Sequence, residues 1–207
     1  MTLAAKAPEE RRRRILLAAI EVLRARGFAG TRVADIAAAA GTSPALVLYH
    51  FSSLGEVLVA ALTSVDEQFY EDLAEDASAD PRDTLVHMAD LAAEGGPAFG
   101  DWQLWLEVWV RARHDQRIDD VRRSIDRRWR DELTTLIERG VKEGVFVSDD
   151  AHSSAIRLSA MLDGLAVQVV HGDEDLSPEQ MAALWIDGAA RELGTTTGEL
   201  RDRRPAR

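Results

Sequence analysis

Residues 15–62 read ILLAAIEVLRARGFAGTRVADIAAAAGTSPALVLYHFSSLGEVLVAAL. Leu16, Ala19, Ile20 and Leu23 recur at i, i+3, i+4 and i+7, the spacing that gathers apolar groups on one helical face, and Gly27 predicts where that helix stops. Val33, Ile36, Ala37 and Ala40 repeat the pattern in a short helix, opened by Thr31 as N-cap and closed by Gly41. A third helix of about two turns follows at once, with Ser43 as its cap, Pro44 at its first position, and Leu46, Val47 and Tyr49 to Phe51 along it. Ser53 with Glu56 forms a capping box that opens a long helix through Leu58, Leu62, Val65, Phe69 and Leu73. Two short helices joined by a glycine-containing turn, behind a longer supporting helix, make a helix-turn-helix. A two-turn helix is not stable alone, so its use lies in what it presents. Ser43, Pro44, Ala45, Leu46 and Tyr49 would offer small polar and apolar groups to base edges and thymine methyls, and a phenol to a phosphate.

Beyond this stretch the apolar spacing stays helical, and no run of strand-type alternation with hairpin turns appears. Five more helices are expected, at about 82–94, 99–114, 119–140, 149–171 and 178–193, with breaks at Gly95-Gly96-Pro97, Gly144 and Gly172 to Ser177. Ser177 with Gln180 is another capping box, strengthened by Pro178. The reading is an all-α chain of about nine helices. A three-helix DNA-binding domain spans 1–53, a larger helical domain 54–194, and an undocked, mobile tail 195–207.

The chain has 207 residues, no cysteine and a formal net charge of −11. The missing cysteines exclude disulfides, thiolate catalysis and thiolate metal sites together. No apolar stretch approaches the roughly 18 residues of a membrane span, and the charged start MTLAAKAPEERRRR is unlike a signal peptide; a cytoplasmic chain without membrane contact is expected. The charge is unevenly placed: 8 basic against 5 acidic residues in the first 60, and 17 against 31 in the remainder. A mildly basic head on an acidic body suits an anionic partner at the head, though two merely solvated surfaces would read the same way.

The 15–62 stretch resembles the TetR family of bacterial transcriptional repressors. The resemblance runs through Gly27-Phe28, Thr31, Asp35-Ile36-Ala37, Ala40-Gly41-Thr42-Ser43 and Tyr49-His50-Phe51-Ser52-Ser53. It implies phosphate or base contacts from Thr31, Arg32, Thr42, Ser43, Ala45, Leu46, Tyr49 and His50, with Phe51 buried in the head. Two positions depart from the family pattern: Leu54 stands where a phosphate-binding lysine is usual, and Ala34 where helix two is often basic. Each lost cation should lower affinity and salt dependence. The run Arg11 to Arg14 could compensate from the start of helix one, or be a solvated helix end. No Arg or Lys lies on the recognition helix, so specificity should lean on apolar contacts, hydroxyls and DNA shape.

Residues 101–165 are similar to the C-terminal domain of the BetI-like and RutR-like branch of that family. The resemblance implies a double-stranded operator, a small-molecule effector held in the body, and a homodimer. Dimerisation through the last two expected helices would use Leu158, Leu162, Leu165, Ala166 and Val169 with Met181, Leu184, Trp185, Gly188, Ala189 and Leu193. A core within one chain would show the same pattern. Trp102, Trp105, Trp109 and Trp129, with Asp163, are the candidate effector residues; aromatic faces near Asp101, Glu107 or Asp163 suit a cationic or flat aromatic molecule, and equally suit plain core packing. No cofactor or metal is implied. The 5 histidines lack HExxH spacing, and GxGxxG, P-loop and GxSxG patterns are missing, so an enzyme is disfavoured beside a regulator. A helical ligand- or partner-binding protein without specific DNA binding is the alternative, given weight by Leu54 and the acidic body.

Overall fold

The computed structural model describes residues 3–75, 80–93, 102–172 and 174–202. Among these residues there are ten helices and no strand. They are α1 (Leu3–Gly30), α2 (Val33–Ala39), α3 (Pro44–Phe51), α4 (Leu54–Glu75), α5 (Pro81–Ala93), α6 (Trp102–Ala112), α7 (Gln116–Lys142), α8 (Ala151–His171), α9 (Pro178–Glu192) and α10 (Thr197–Arg201). The expected breaks at Gly95 to Pro97, the expected helix start at Phe99 and the side chain of Asp101 lie outside the described residues. No single described helix is long and apolar enough to cross a membrane.

The chain divides into two compact units, one formed by Met1–Glu67 with Gln103–Arg122 and the other by Gln68–Trp102 with Arg123–Arg207. The first holds the helix-turn-helix with the first part of α4, α6 from Gln103 onward and the start of α7. Its core is made by Ile15, Leu16, Ala19 and Leu23 of α1, Ile36 and Ala37 of α2, and Val47 and Phe51 of α3. Leu58 and Leu62 of α4, Trp105 and Val108 of α6 and Ile118 of α7 complete it, all buried. Helices as short as α2 and α3 persist because those few side chains are buried against longer neighbours.

Local chemistry sets the helix ends. Gly27, at φ 65° and ψ 175°, breaks α1 where the sequence placed its stop, and a last helical turn resumes to Gly30. The cap of α2 is Arg32, not Thr31: Arg32 has the extended backbone, while buried Thr31 turns its hydroxyl back to the Gly27 carbonyl at 2.7 Å. Ser43 caps α3 by accepting the Leu46 N–H at 3.2 Å, and Ser53 accepts the Glu56 N–H at 3.2 Å. α7 starts earlier than expected because Asp115 accepts the Arg117 N–H at 3.1 Å and so caps its first turn.

In the second unit Phe69, Leu85, Met88, Leu133, Ile137, Leu158, Leu162, Trp185 and Ile186 are buried. α8 and α9 pack on each other, with the Trp185 indole N–H donating to the Leu158 carbonyl at 2.9 Å. The expectation of an undocked tail from Thr195 is corrected. Thr196 and Glu199 form a full capping box for α10, and Leu200 is completely buried as α10 packs on α9 and α5. One apolar side chain on a capped turn suffices to dock the segment; residues 203–207 lie outside the described set.

Candidate nucleic-acid interface and effector residues

The outward side of the head is concentrated on α3. Tyr49 is 81% exposed, Ser43 and Ala45 are exposed, and Thr42 and Leu46 are half-buried. Leu48, at 42% exposure, joins them on the surface and was not among the expected contacts. It escaped sequence reading because a leucine in an apolar helix reads as core. Arg32 is exposed at the start of α2. Two expected contacts are more enclosed. Thr31 is 4% exposed with its hydroxyl committed to Gly27, and half-buried His50 has its ring against Tyr49 and Phe51 at 5.4 and 6.3 Å and its Nε2 shielded from solvent. Phe51 is buried as expected.

The arginine run is divided in its roles. Arg12 rests over the Phe51 ring, 5.2 Å from its centroid, tying α1 to the end of α3, whereas Arg11, Arg13 and Arg14 are exposed. At the first turn of α4, where Leu54 replaces the usual lysine, the guanidinium of Arg117 lies against Gly55: a Cβ on that glycine would meet its Nη2 at 2.7 Å. Arg117 is 59% exposed and paired with Asp115 at 3.3 Å, and that partner holds the Asp115 carboxyl below its ordinary range. This cation comes from 62 positions downstream of Gly55, so no local motif announces it.

The same unit contains an open groove of about 520 Å³ lined by Phe28, Ala29, Leu106, Glu107, Val110, Arg111, His114 and Asp115. Glu107 faces inward, accepting the Phe28 N–H at 2.5 Å. Its carboxylate is therefore part of the head's framework, not the free anion that an aromatic cage would need.

The model of bacterial regulatory proteins of the tetR family matches residues 15–61, and that of the BetI-type transcriptional repressor C-terminal domain matches 81–194. The chain belongs to the TetR family. It is 30% identical over 189 residues to the HTH-type transcriptional regulator BetI of Rhizobium meliloti, covering 86% of each chain. It is 31% identical over 165 residues to the regulator CymR of Pseudomonas putida, covering 75% of this chain and 77% of that one. A transcriptional regulator from Saccharomonospora viridis, solved in complex with choline, superposes with a TM-score of 0.81 at 33% identity over 89% of this chain and 98% of that one. The protein is thus a DNA-binding transcriptional regulator of the TetR family, and the matched models and relatives are regulators, not enzymes.

The candidate effector residues of this TetR-family chain fall in both units. In the second, Trp102 is buried with its indole N–H donated to the Ala92 carbonyl at 2.9 Å, and Trp129 is buried with its ring 5.5 Å from that of Phe69. The neighbouring Tyr70 face is occupied by the protein's own cation, the Arg128 guanidinium at 3.6 Å. In the first unit, Trp105 is buried and Trp109 half-buried on α6. Asp163 is exposed to solvent on α8, yet the crowding of packed atoms around it and repulsion from Asp126 lift its carboxyl to about 6 despite the opposing charge of Arg130.

The expected dimer residues also divide. Leu158, Leu162, Ala166, Met181, Trp185, Ala189 and Leu193 are buried within the chain, which corrects their assignment to an intersubunit surface. Of the expected residues Leu184 on α9 is exposed and Leu165, Val169 and Gly188 are half-buried, and Ile156, Ala160 and Gly164 of α8 lie outside beside them as further exposed small or apolar groups.

Proposed function

We propose that this regulator represses transcription by binding a two-fold-symmetric operator as a homodimer, and that a small organic effector releases it. The observation that carries the reading is α3 itself: a capped two-turn helix with Ser43, Ala45, Leu48 and Tyr49 outward, braced by a buried core. Such a helix fits a major groove, with Arg32 and the Tyr49 hydroxyl reaching phosphates and small side chains reading thymine methyls and groove shape. Thr42, Ser43, Ala45 and Leu46 complete the proposed surface. Thr31 and His50 act chiefly from behind it, with Thr31 holding Gly27.

The second copy docks on the outer stripe of α8 and α9, where Ile156, Ala160, Gly164 and Leu184 would meet their equivalents and place two α3 helices about one turn of DNA apart, ~34–36 Å. Trp102, Trp129 and Asp163 in the second unit, and Trp105 and Trp109 on α6, are the residues proposed to sense the effector. The choline held by the Saccharomonospora viridis regulator makes a small quaternary amine the first compound to test. Effector and DNA would each favour one of two conformations, with coupling of about 1–3 kcal/mol that must be reciprocal.

Selection of bound sequences from a random duplex pool tests the DNA reading. Enriched palindromes with half-sites one turn apart, bound in a salt-sensitive way and lost in Tyr49→Ala, are expected. No enrichment by the full chain would overturn it. Titration of the selected duplex with choline tests the effector class, with unchanged DNA affinity and unchanged tryptophan fluorescence counting against a quaternary amine.

A further inference from the structure

A closely built polar contact between distant parts of the sequence lies at the Gly27 break. Glu107, on α6 and inside the segment matched by the C-terminal family model, reaches 79 positions back to accept the Phe28 N–H at 2.5 Å through its Oε2. Its carboxylate occupies the volume that a side chain at Gly27 would need: a Cβ there would lie 2.5 Å from Oε1 and 2.8 Å from Oε2. From the other side the Gly27 carbonyl accepts the Thr31 hydroxyl at 2.7 Å. Arg111, one turn along α6, places its guanidinium 5.8 Å from the centroid of the Phe28 ring. All of these residues belong to one compact unit. The connection from α1 to α2 is therefore shaped by α6 as much as by its own sequence.

The energetics make this contact directional. A charge-assisted hydrogen bond to a backbone N–H is among the stronger ones available, and removing its acceptor strands a part-buried donor at the point where the chain turns into α2. Gly27 has given up helical geometry, so the turn is held by contacts from outside its own helix ladder: the Glu107 carboxylate on the Phe28 N–H, the Thr31 hydroxyl on the Gly27 carbonyl, and the Arg26–Asp35 ion pair at 2.7 Å. A small rotation there displaces α2, and α3 packs directly on α2.

We infer that Glu107 is a positioning residue of the DNA-binding head. It lies outside the helix-turn-helix sequence, touches no nucleic acid, and sets the angle at which α2 and α3 are presented. The inference rests on the reading of α3 as the DNA-contacting helix, and the experiment separates the two.

The full chain and its Glu107→Ala, Glu107→Gln and Tyr49→Ala variants are compared for affinity to the duplex selected by the parent, affinity to a random duplex, salt dependence, melting midpoint and amide exchange at Phe28. Glu107→Ala is expected to weaken binding to the selected duplex by about tenfold or more, the consequence of a stranded donor. Binding to random duplex and the salt slope should be unchanged, since no phosphate contact is lost. Glu107→Gln, whose amide oxygen still accepts, should restore binding to within about threefold, because the net worth of one hydrogen bond is small while its acceptor is retained. In the parent the Phe28 amide should exchange slowly, and faster in Glu107→Ala. Selective binding equal in Glu107→Ala and the parent, while Tyr49→Ala abolishes it, would overturn the positioning role and leave the DNA reading intact. Glutamine behaving no better than alanine would overturn the hydrogen bond as its cause. If Glu107→Ala fails to fold, the glutamine variant and parent exchange decide alone: rapid Phe28 exchange in the parent sinks the inference. A parent that enriches no duplex at all refutes the DNA reading instead.

Discussion

At the scale of single residues, two glycines with positive φ show how similar φ angles carry different burdens. Gly41, at φ 61°, turns α2 into α3, and a Cβ there would meet nothing within 4 Å. Gly27, at φ 65°, would press a Cβ into the Glu107 carboxylate. Gly41→Ala should therefore cost only the backbone penalty, about 1–2 kcal/mol, whereas Gly27→Ala adds the collision and the displacement of Glu107. Denaturant unfolding of both variants checks this, and equal losses would show that the carboxylate yields freely. On the proposed contact surface, Arg32→Ala should weaken specific and non-specific duplexes alike and flatten the salt slope by roughly 0.9 per head, the signature of one lost phosphate contact. Gel shifts across a salt series give that slope. Gly41, Ser43 and Tyr49 were legible in the sequence because turn, cap and exposed aromatic are local signals. Glu107 and Arg117 were not, because each acts across a long sequence separation on a glycine that records only the absence of a side chain.

At the scale of elements, helix identity was readable throughout, while ends and partners were settled by tertiary contact. Periodicity and capping residues announced nine helices. The tenth was missed because Leu200 is a single apolar residue, and only burial against α9 and α5 shows that one is enough. Likewise the apolar residues of α8 and α9 revealed that these helices bury a face, but not whether a second chain or their own neighbours cover it; Trp185, bonded to Leu158, went inward. The turn between α7 and α8 shows the strictness of such packing. Phe146 folds back onto Gly140, where a Cβ would approach its ring to 2.0 Å. Gly140→Ala should destabilise by about 1–3 kcal/mol, the usual cost of overpacking, read from thermal or denaturant unfolding. On α8, Asp163 provides a pH test. A carboxyl raised from 3.8 to about 6 binds its proton more tightly in the folded than in the unfolded chain. This group's contribution to stability is thus fully present below about pH 4 and is lost as pH rises through 6. Asp163→Asn should remove that fall, so the difference in melting midpoint between variant and parent grows in the variant's favour from pH 4 to pH 7. A constant difference would mean that the carboxyl titrates normally.

At the scale of the whole molecule, the charge of −11 and the choice of a DNA partner are reconciled by distribution, with 8 basic against 5 acidic residues in the first 60 and 17 against 31 in the remainder. An acidic body repels the duplex, so one head, holding few cations and none on α3, gains little from non-specific electrostatics. Useful affinity then requires two heads bound at once, which makes the operator interaction a property of the dimer. Joining two weak sites raises apparent affinity by about 10²–10⁴ when their spacing matches, and the gain vanishes when they are uncoupled. The outer stripe of α8 and α9, proposed above as the dimer surface, gives a way to test this without touching the head. Leu184 is 49% exposed on α9 and makes no part of the buried core, so Leu184→Glu should leave the monomer folded while setting two carboxylates against each other across the proposed two-fold interface. The expected outcome is a monomeric mass by light scattering at micromolar concentration, an unchanged helical signal, and a loss of about a hundredfold or more in binding to a two-half-site duplex. Binding to a single half-site should be untouched. A variant that stays dimeric would move the interface off this stripe. A monomer that still binds the full site as tightly as the parent would show that one head suffices, and that the acidic body does not weaken it.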